Sequence, residues 1–201
     1  MSTVKSKKLQ VGTDATATNN FTIYQPATPD GTLRIGVGNA DSPTEVGQFN
    51  SNGYRPTTAP LFRAFKGNAD QSLSSNVWTK ITYSDVTFDT NSNFSTSTSR
   101  FTPTIAGYYQ INLIVSAEGA VGLARCLGAI YKNGVTYSRL FDLQVTSGTI
   151  GRDFGNSDIV YFNGTTDYIE IYCYQIGTTP NLDSDPNGFQ QVISGHLIQQ
   201  A

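Results

Sequence analysis

The stretch SRFTPTIAGYYQINLIVSAEG, residues 99–119, decides the fold class. Pro103 and Gly107 set the turn, and an apolar-rich run follows. Side chains of a strand alternate between its two faces, so residues 108–115 separate into two sets. Tyr109, Ile111, Leu113 and Val115 form a wholly apolar face that belongs in a core. Tyr108, Gln110, Asn112 and Ile114 form a mixed face. Water alone rarely selects Tyr and Ile, and a dry core would leave two amides in search of partners. Cover by another copy of the chain satisfies both conditions.

The rest of the chain repeats the strand signal. FTIYQ begins at Phe21, TLRIGV at Thr32, WTKITYSDVTF at Trp78, RCLGAIY at Arg125, DIVYF at Asp158, DYIEIYCYQI at Asp167 and QVISGHLIQQ at Gln191. No window keeps a 3.6-residue apolar period over three turns. Asn133-Gly134 in YKNGVTY is the signature of a hairpin with a primed turn. Short strands joined by frequent turns define an all-β sandwich or barrel.

Composition narrows the function classes. The 201 residues carry a net charge of −2, and 14% are charged, so neither a basic nucleic-acid footprint nor a polyacidic tail is present. The opening MSTVKSKKLQVG has no apolar secretory core, and no run approaches the roughly 20 apolar residues of a membrane helix. The expectation is a protein made and folded in a cytosol. Lys5, Lys7 and Lys8 read as a solvated charge cluster. Cys126 and Cys173 lie in strand-like runs, with two readings open: buried free thiols, or a bridge across neighbouring strands. Trp78 opens a strand and reads as core or interface. The Asn20, Asn93 and Asn163 triplets match the glycosylation pattern by chance in a chain so rich in Asn, Ser and Thr.

The chain divides near residue 60. Residues 1–60 hold Pro26, Pro29, Pro43, Pro56 and Pro60, with only the short apolar runs LQV, FTIY and LRIGV. A core built from these alone would be small. They read as a β-rich arm that orders by docking, with YRPTTAPLF (54–62) as a stiff connector. Residues 61–201 form the second domain.

That second domain carries an ordered set of motifs: Arg100-Phe101-Thr102 with Gly107-Tyr108-Tyr109, then AIYKNG (129–134), DIVYFNGTTDYIEIYCY (158–174) and the closing SGHLI (194–198). In order and spacing it resembles the globular domain of the C1q family, a tumour-necrosis-factor-like jelly roll. The resemblance implies a ten-stranded sandwich that assembles as a homotrimer and binds through exposed surface. It also implies that the closing strand lies beside the strand of Tyr108. Gln110, Asn112, Ile114 and His196 would then share the sheet facing the trimer axis. Two departures stand out. The chain has no Gly-X-Y stalk, so complement and hormone roles are not implied, and His196 stands where the family's closing motif carries an aromatic.

A trimeric knob on a Thr/Ser/Asn/Gly-rich arm suggests, by analogy of architecture, a bacteriophage fibre or other virion protein assembled in the host cytoplasm. Residues 1–60 would hold it to virion head or tail proteins. Its Tyr, Asn, Ser and Thr loops would meet a host-surface glycan or protein. The alternative is an architectural decoration or cement protein that joins virion subunits. A glycan depolymerase is not expected, because the single His and fifteen acidic residues show no catalytic spacing. One metal motif is partial. Asp183, Asp185 and Asn187 in LDSDPNGFQQ give the first half of a calcium loop, but the twelfth position is Ser194 rather than Glu. A turn joining the last strands is the simpler reading, with calcium a candidate ligand.

Overall fold

The computed structural model describes residues 7–56, 59–117, 121–144 and 153–201. These divide into two compact units between Ala59 and Pro60. Among the described residues no α-helix forms, and one short 3-10 turn spans Ala17–Asn19.

The first unit is a five-stranded antiparallel meander of β1 (Lys8–Val11), β2 (Phe21–Tyr24), β3 (Leu33–Val37), β4 (Thr44–Asn50) and β5 (Gly53–Pro56). The arm therefore completes a sheet from its own strands, where short partner-dependent segments were expected. The connector reading is also corrected. Residues 53–56 form the sheet's last strand, where the proline is tolerated at an edge. Leu61 and Phe62 already belong to the second unit's first strand; residues 57–58 lie outside the described residues. What the arm lacks is a second layer. Its most buried side chains are polar. Asn20 Nδ2 donates to Asp14 O and Asn39 Oδ1, each at 2.8 Å, and Thr22 Oγ1 donates to Gly38 O at 2.9 Å. Leu9, Phe21, Leu33 and Phe49 share one face through the registers Leu9↔Ile23, Ile23↔Ile35, Phe21↔Val37 and Leu33↔Phe49, and all four are exposed.

The second unit stacks two sheets. In chain order its strands are β6 (Leu61–Phe65), β7 (Gln71–Ser72), β8 (Thr79–Lys80), β9 (Asp85–Asp89), β10 (Phe94–Ser95), β11 (Arg100–Phe101), β12 (Gly107–Ser116), β13 (Arg125–Lys132), β14 (Val135–Gln144), β15 (Asp153–Phe162), β16 (Ile169–Ile176), β17 (Asn181–Leu182) and β18 (Val192–Gln200). One sheet runs β15-β12-β18-β6-β9 and the other β10-β11-β16-β13-β14, with β8 added on β16. The main paths thus supply two sets of five strands, and β17 pairs β7 apart from them.

The core follows from alternation. Tyr109, Ile111, Leu113 and Val115 of β12 are buried, as the sequence predicts, and they share one core with Ile130 of β13 and Ile169, Ile171 and Cys173 of β16. Phe101 lies at the aromatic centre: it stacks on Phe62 at 4.0 Å and meets Tyr109 and Phe162 edge-on, each at 5.7 Å. The β13–β14 hairpin turns at Asn133 and Gly134, with φ of 53° and 82°, the left-handed pair a primed turn requires.

WTKITYSDVTF is not one strand. Residues 79–80 pair with β16 in one sheet and residues 85–89 pair with β6 in the other. Between them Ile81 and Tyr83 are buried, Ile81 N donates to Ile171 O at 2.8 Å, and Tyr83 N donates to Ser99 Oγ at 3.0 Å. The chain turns a corner and changes sheets here, as strands do at the margins of sandwiches.

Candidate assembly and binding surfaces

The outer face of the β15-β12-β18-β6-β9 sheet gathers the residues predicted for an interface. The closing strand β18 lies beside β12, as the resemblance implied, and β15 pairs with β12 on its other side. Gln110 stands opposite His196, and Asn112 opposite Ser194. The two amides chain together: Gln110 Nε2 donates to Asn112 Oδ1 at 3.0 Å, and Asn112 Nδ2 to Ser194 Oγ at 3.4 Å. Tyr108 is 47% and Ile114 38% exposed, and His196 is exposed beside Leu61 of β6. Sequence reasoning missed Ile159 and Tyr161 of β15, which are 53% and 39% exposed and stand opposite Gln110 and Tyr108. Their signal was present, since in DIVYF the residues alternating with buried Val160 and Phe162 are both large and apolar.

The calcium motif is folded differently. Asp183 accepts from Ser116 Oγ at 3.2 Å, while Asp185 accepts from the Asn187 backbone amide at 2.7 Å and closes its own turn. Gly188 N then donates to Asp185 O at 2.9 Å. The two carboxylates thus serve separate partners, and no cluster of three acidic, His or Cys side chains forms among the described residues. The cysteines are buried free thiols with sulfurs 3.8 Å apart. The hydrogen bond with Cys126, together with burial, pushes the Cys173 thiol up. The glycosylation-like asparagines are structural. Asn20 is buried, and Asn163 Oδ1 accepts the amides of Thr165, Thr166 and Asp167, each at 3.0 Å.

The opposite sheet carries a feature that no single motif announced. Trp78 is half-buried on its outer face and absent from the core cluster. Its ring centre lies 5.4 Å from Tyr174 and 6.1 Å from Tyr131, and Tyr131 stacks on Tyr172 at 4.0 Å. The register explains the grouping: Leu127↔Tyr174, Ala129↔Tyr172 and Tyr131↔Glu170 face one another across β13 and β16. Charged groups close both ends. At one end Glu170 is buried and accepts from Arg100 Nε at 2.9 Å and Lys80 Nζ at 3.1 Å, and the Arg100 guanidinium lies 4.1 Å from the Tyr168 ring centre. Burial alone would raise the Glu170 carboxyl, but its bonds from Arg100 and Lys80 outweigh this and hold it below its ordinary value. At the other end Arg125 forms a two-pronged pair with Asp142, at 2.8 and 2.6 Å. Trp78, Arg125, Leu127, Arg139 and Tyr174 line a cleft of about 170 Å³.

No protein-family profile matches the chain, and no curated protein matches its sequence. Solved structures do match. The chain is similar to the globular domain of zebrafish complement 1qA protein, at 17% identity over 71% of this chain and 99% of that one, with a TM-score of 0.52. It is similar to murine APRIL at 10% identity over 70% and 100%, TM-score 0.52. It is similar to Eiger TNF from S. frugiperda at 9% identity over 71% and 94%, TM-score 0.51. At such identities the likeness speaks to the fold: the two-sheet unit is a C1q/tumour-necrosis-factor-like jelly roll.

Proposed function

We propose that the protein is a homotrimeric, non-enzymatic attachment protein, a bacteriophage fibre or related virion protein. Its jelly roll self-associates and binds a host surface, while residues 1–60 hold it to the particle. The observation that carries the trimer is the open face around β12. A sheet whose other face is packed core exposes Tyr108, Ile159 and Tyr161 at one end and Ile114 further along β12, on either side of the amide chain. Large apolar side chains exposed on one face in this way mark interaction sites. The Gln110–Asn112–Ser194 chain already satisfies amide groups that contact with another copy would bury. A closed symmetric assembly brings the same patch of each copy together. The jelly-roll fold, used by trimeric ligands of the family it resembles, supports the reading.

The virion setting rests on the arm's composition and on its one-layered sheet, whose apolar face suits an uncharged surface of the particle. Trimerisation would hold three arms at one anchor and raise their effective concentration there. Deletion of residues 1–55 tests this. The shortened protein is expected to remain a soluble trimer and to be absent from purified particles. Incorporation at wild-type occupancy would show that the arm is not the anchor, and the architectural-clamp reading would take its place.

A further inference from the structure

The aromatic strip on the outer face of β13 and β16 is on the sheet opposite the proposed trimer face. Its chemistry is specific. Trp78 Nε1 and the hydroxyls of Tyr131 and Tyr172 make no hydrogen bond with a described residue, and none of them is a buried unpaired atom. These donors are open to a ligand beside half-buried ring surface. Arg139 lines the cleft and makes no hydrogen bond with a described residue; its charge helps hold the Asp142 carboxyl below its ordinary value, but the hydrogen bonds to that carboxylate come from Arg125. The cleft, at about 170 Å³, is smaller than the roughly 300–1,000 Å³ of sites for drug-sized ligands. It admits one ring at a time, while the strip continues past it to Tyr131 and Tyr172.

We propose that this strip binds an extended acidic oligosaccharide, with one sugar in the Trp78–Tyr174 cleft and a carboxylate at Arg139. A sugar presents C–H faces and a rim of hydroxyls. Trp and Tyr match that division with a flat apolar body and a polar tip, and the Arg125–Asp142 fork supplies a fixed donor and acceptor for the rim. Two other occupants fit less well. Stacked nucleic-acid bases would bring a phosphate with every nucleotide, whereas Lys80, Arg100 and Arg125 on this strip are already ion-paired, in a chain with a sequence pI near 5.2. A protein partner of ordinary interface size would cover about 800 Å² on each side, and a ring-sized cleft is not required for it. The proposal rests on the attachment reading and gives it a ligand class.

Trp78 is the chain's single tryptophan, so its fluorescence reports this site alone. The full chain would be titrated with tri-galacturonate, sialyl-lactose and maltotriose, reading Trp78 emission, with calorimetry as a second readout. A saturable change is expected with at least one acidic sugar, and binding to maltotriose is expected to be about tenfold weaker. Arg139→Ala is expected to weaken the acidic sugar about tenfold and so abolish its advantage over maltotriose, since a charge-assisted contact is lost. Tyr131→Ala keeps the fluorophore and is expected to weaken all binding. An unchanged melting temperature in Arg139→Ala would separate lost contact from lost fold. No response to any of the three sugars at millimolar concentration would overturn the proposal and favour a protein contact instead. Binding unchanged in both variants would overturn it equally. The titration reads a single-chain site, so Ile114→Asp, which is aimed at the trimer, is expected to leave it intact. Failure of the trimer and failure of the sugar site are therefore distinguishable.

Discussion

Glu170 keeps its charge inside the outer sheet because Arg100 and Lys80 both donate to it. Its carboxyl is held below the ordinary 4.5, so the sign of its pH effect is fixed. The stabilisation is fully present above the unfolded value and is lost as pH falls through the lowered folded value. Glu170→Gln should lower stability near neutral pH by about 1.5–3 kcal/mol, the range for hydrogen bonds to charged groups. It should also flatten the acid limb of a melting-temperature profile; a profile as steep as wild type would assign the limb to other carboxylates. Tyr83 presents the opposite case. Its hydroxyl is buried with no hydrogen-bond partner among the described residues, and burial pushes its pKa well above 10. An unsatisfied buried hydroxyl costs about 1–3 kcal/mol, so Tyr83→Phe is expected to raise the melting temperature. A clear loss of stability would reveal a partner for that oxygen.

At the scale of elements, β12 was legible because its alternation is strict and its flanking turn is chemically marked. Gly107 shows why that turn allows little change: a Cβ there would collide with the Gln199 carbonyl and approach Leu197 Cδ1 at 2.7 Å. Gly107→Ala is expected to destabilise the β12–β18 pairing by about 1–3 kcal/mol, as overpacking does, read by denaturant unfolding. An unaltered midpoint would mean that the strand ends shift freely. The hairpin at Asn133-Gly134 was equally legible. The corner at residues 81–84 was not, because a period-two pattern runs on through a bend while the pairing partner changes. Strand β4, TEVGQFN, has little apolar alternation, and its position is set by its register with β3. The outer strip was illegible for a related reason. Trp78, Tyr131 and Tyr174 come from three distant segments, and only the registers of β8 and β13 against β16 bring them together. The partial calcium motif was ambiguous for the opposite reason, since ligand-like spacing in a short loop also suits the simpler reading, a turn, which Asp185 closes on itself.

At the scale of the molecule, two units each build a sheet with large apolar side chains left open on one face: Leu9, Phe21, Leu33 and Phe49 in the arm, and Tyr108, Ile114, Ile159 and Tyr161 beside the amide chain of the jelly roll. A sheet normally buries its apolar face against another layer. In the proposed trimer, sister chains supply the missing layer of the jelly roll, so that three copies enclose the β12 faces and the aromatic strips remain outermost. The most direct measurement is the solution mass of the full chain by analytical ultracentrifugation at micromolar concentration, with Ile114→Asp alongside. Wild type is expected at three times the 21.7 kDa chain mass. Ile114→Asp is expected to dissociate, because three carboxylates would be forced into a partly apolar contact. A monodisperse wild-type monomer, or a trimer that Ile114→Asp leaves intact, would contradict it.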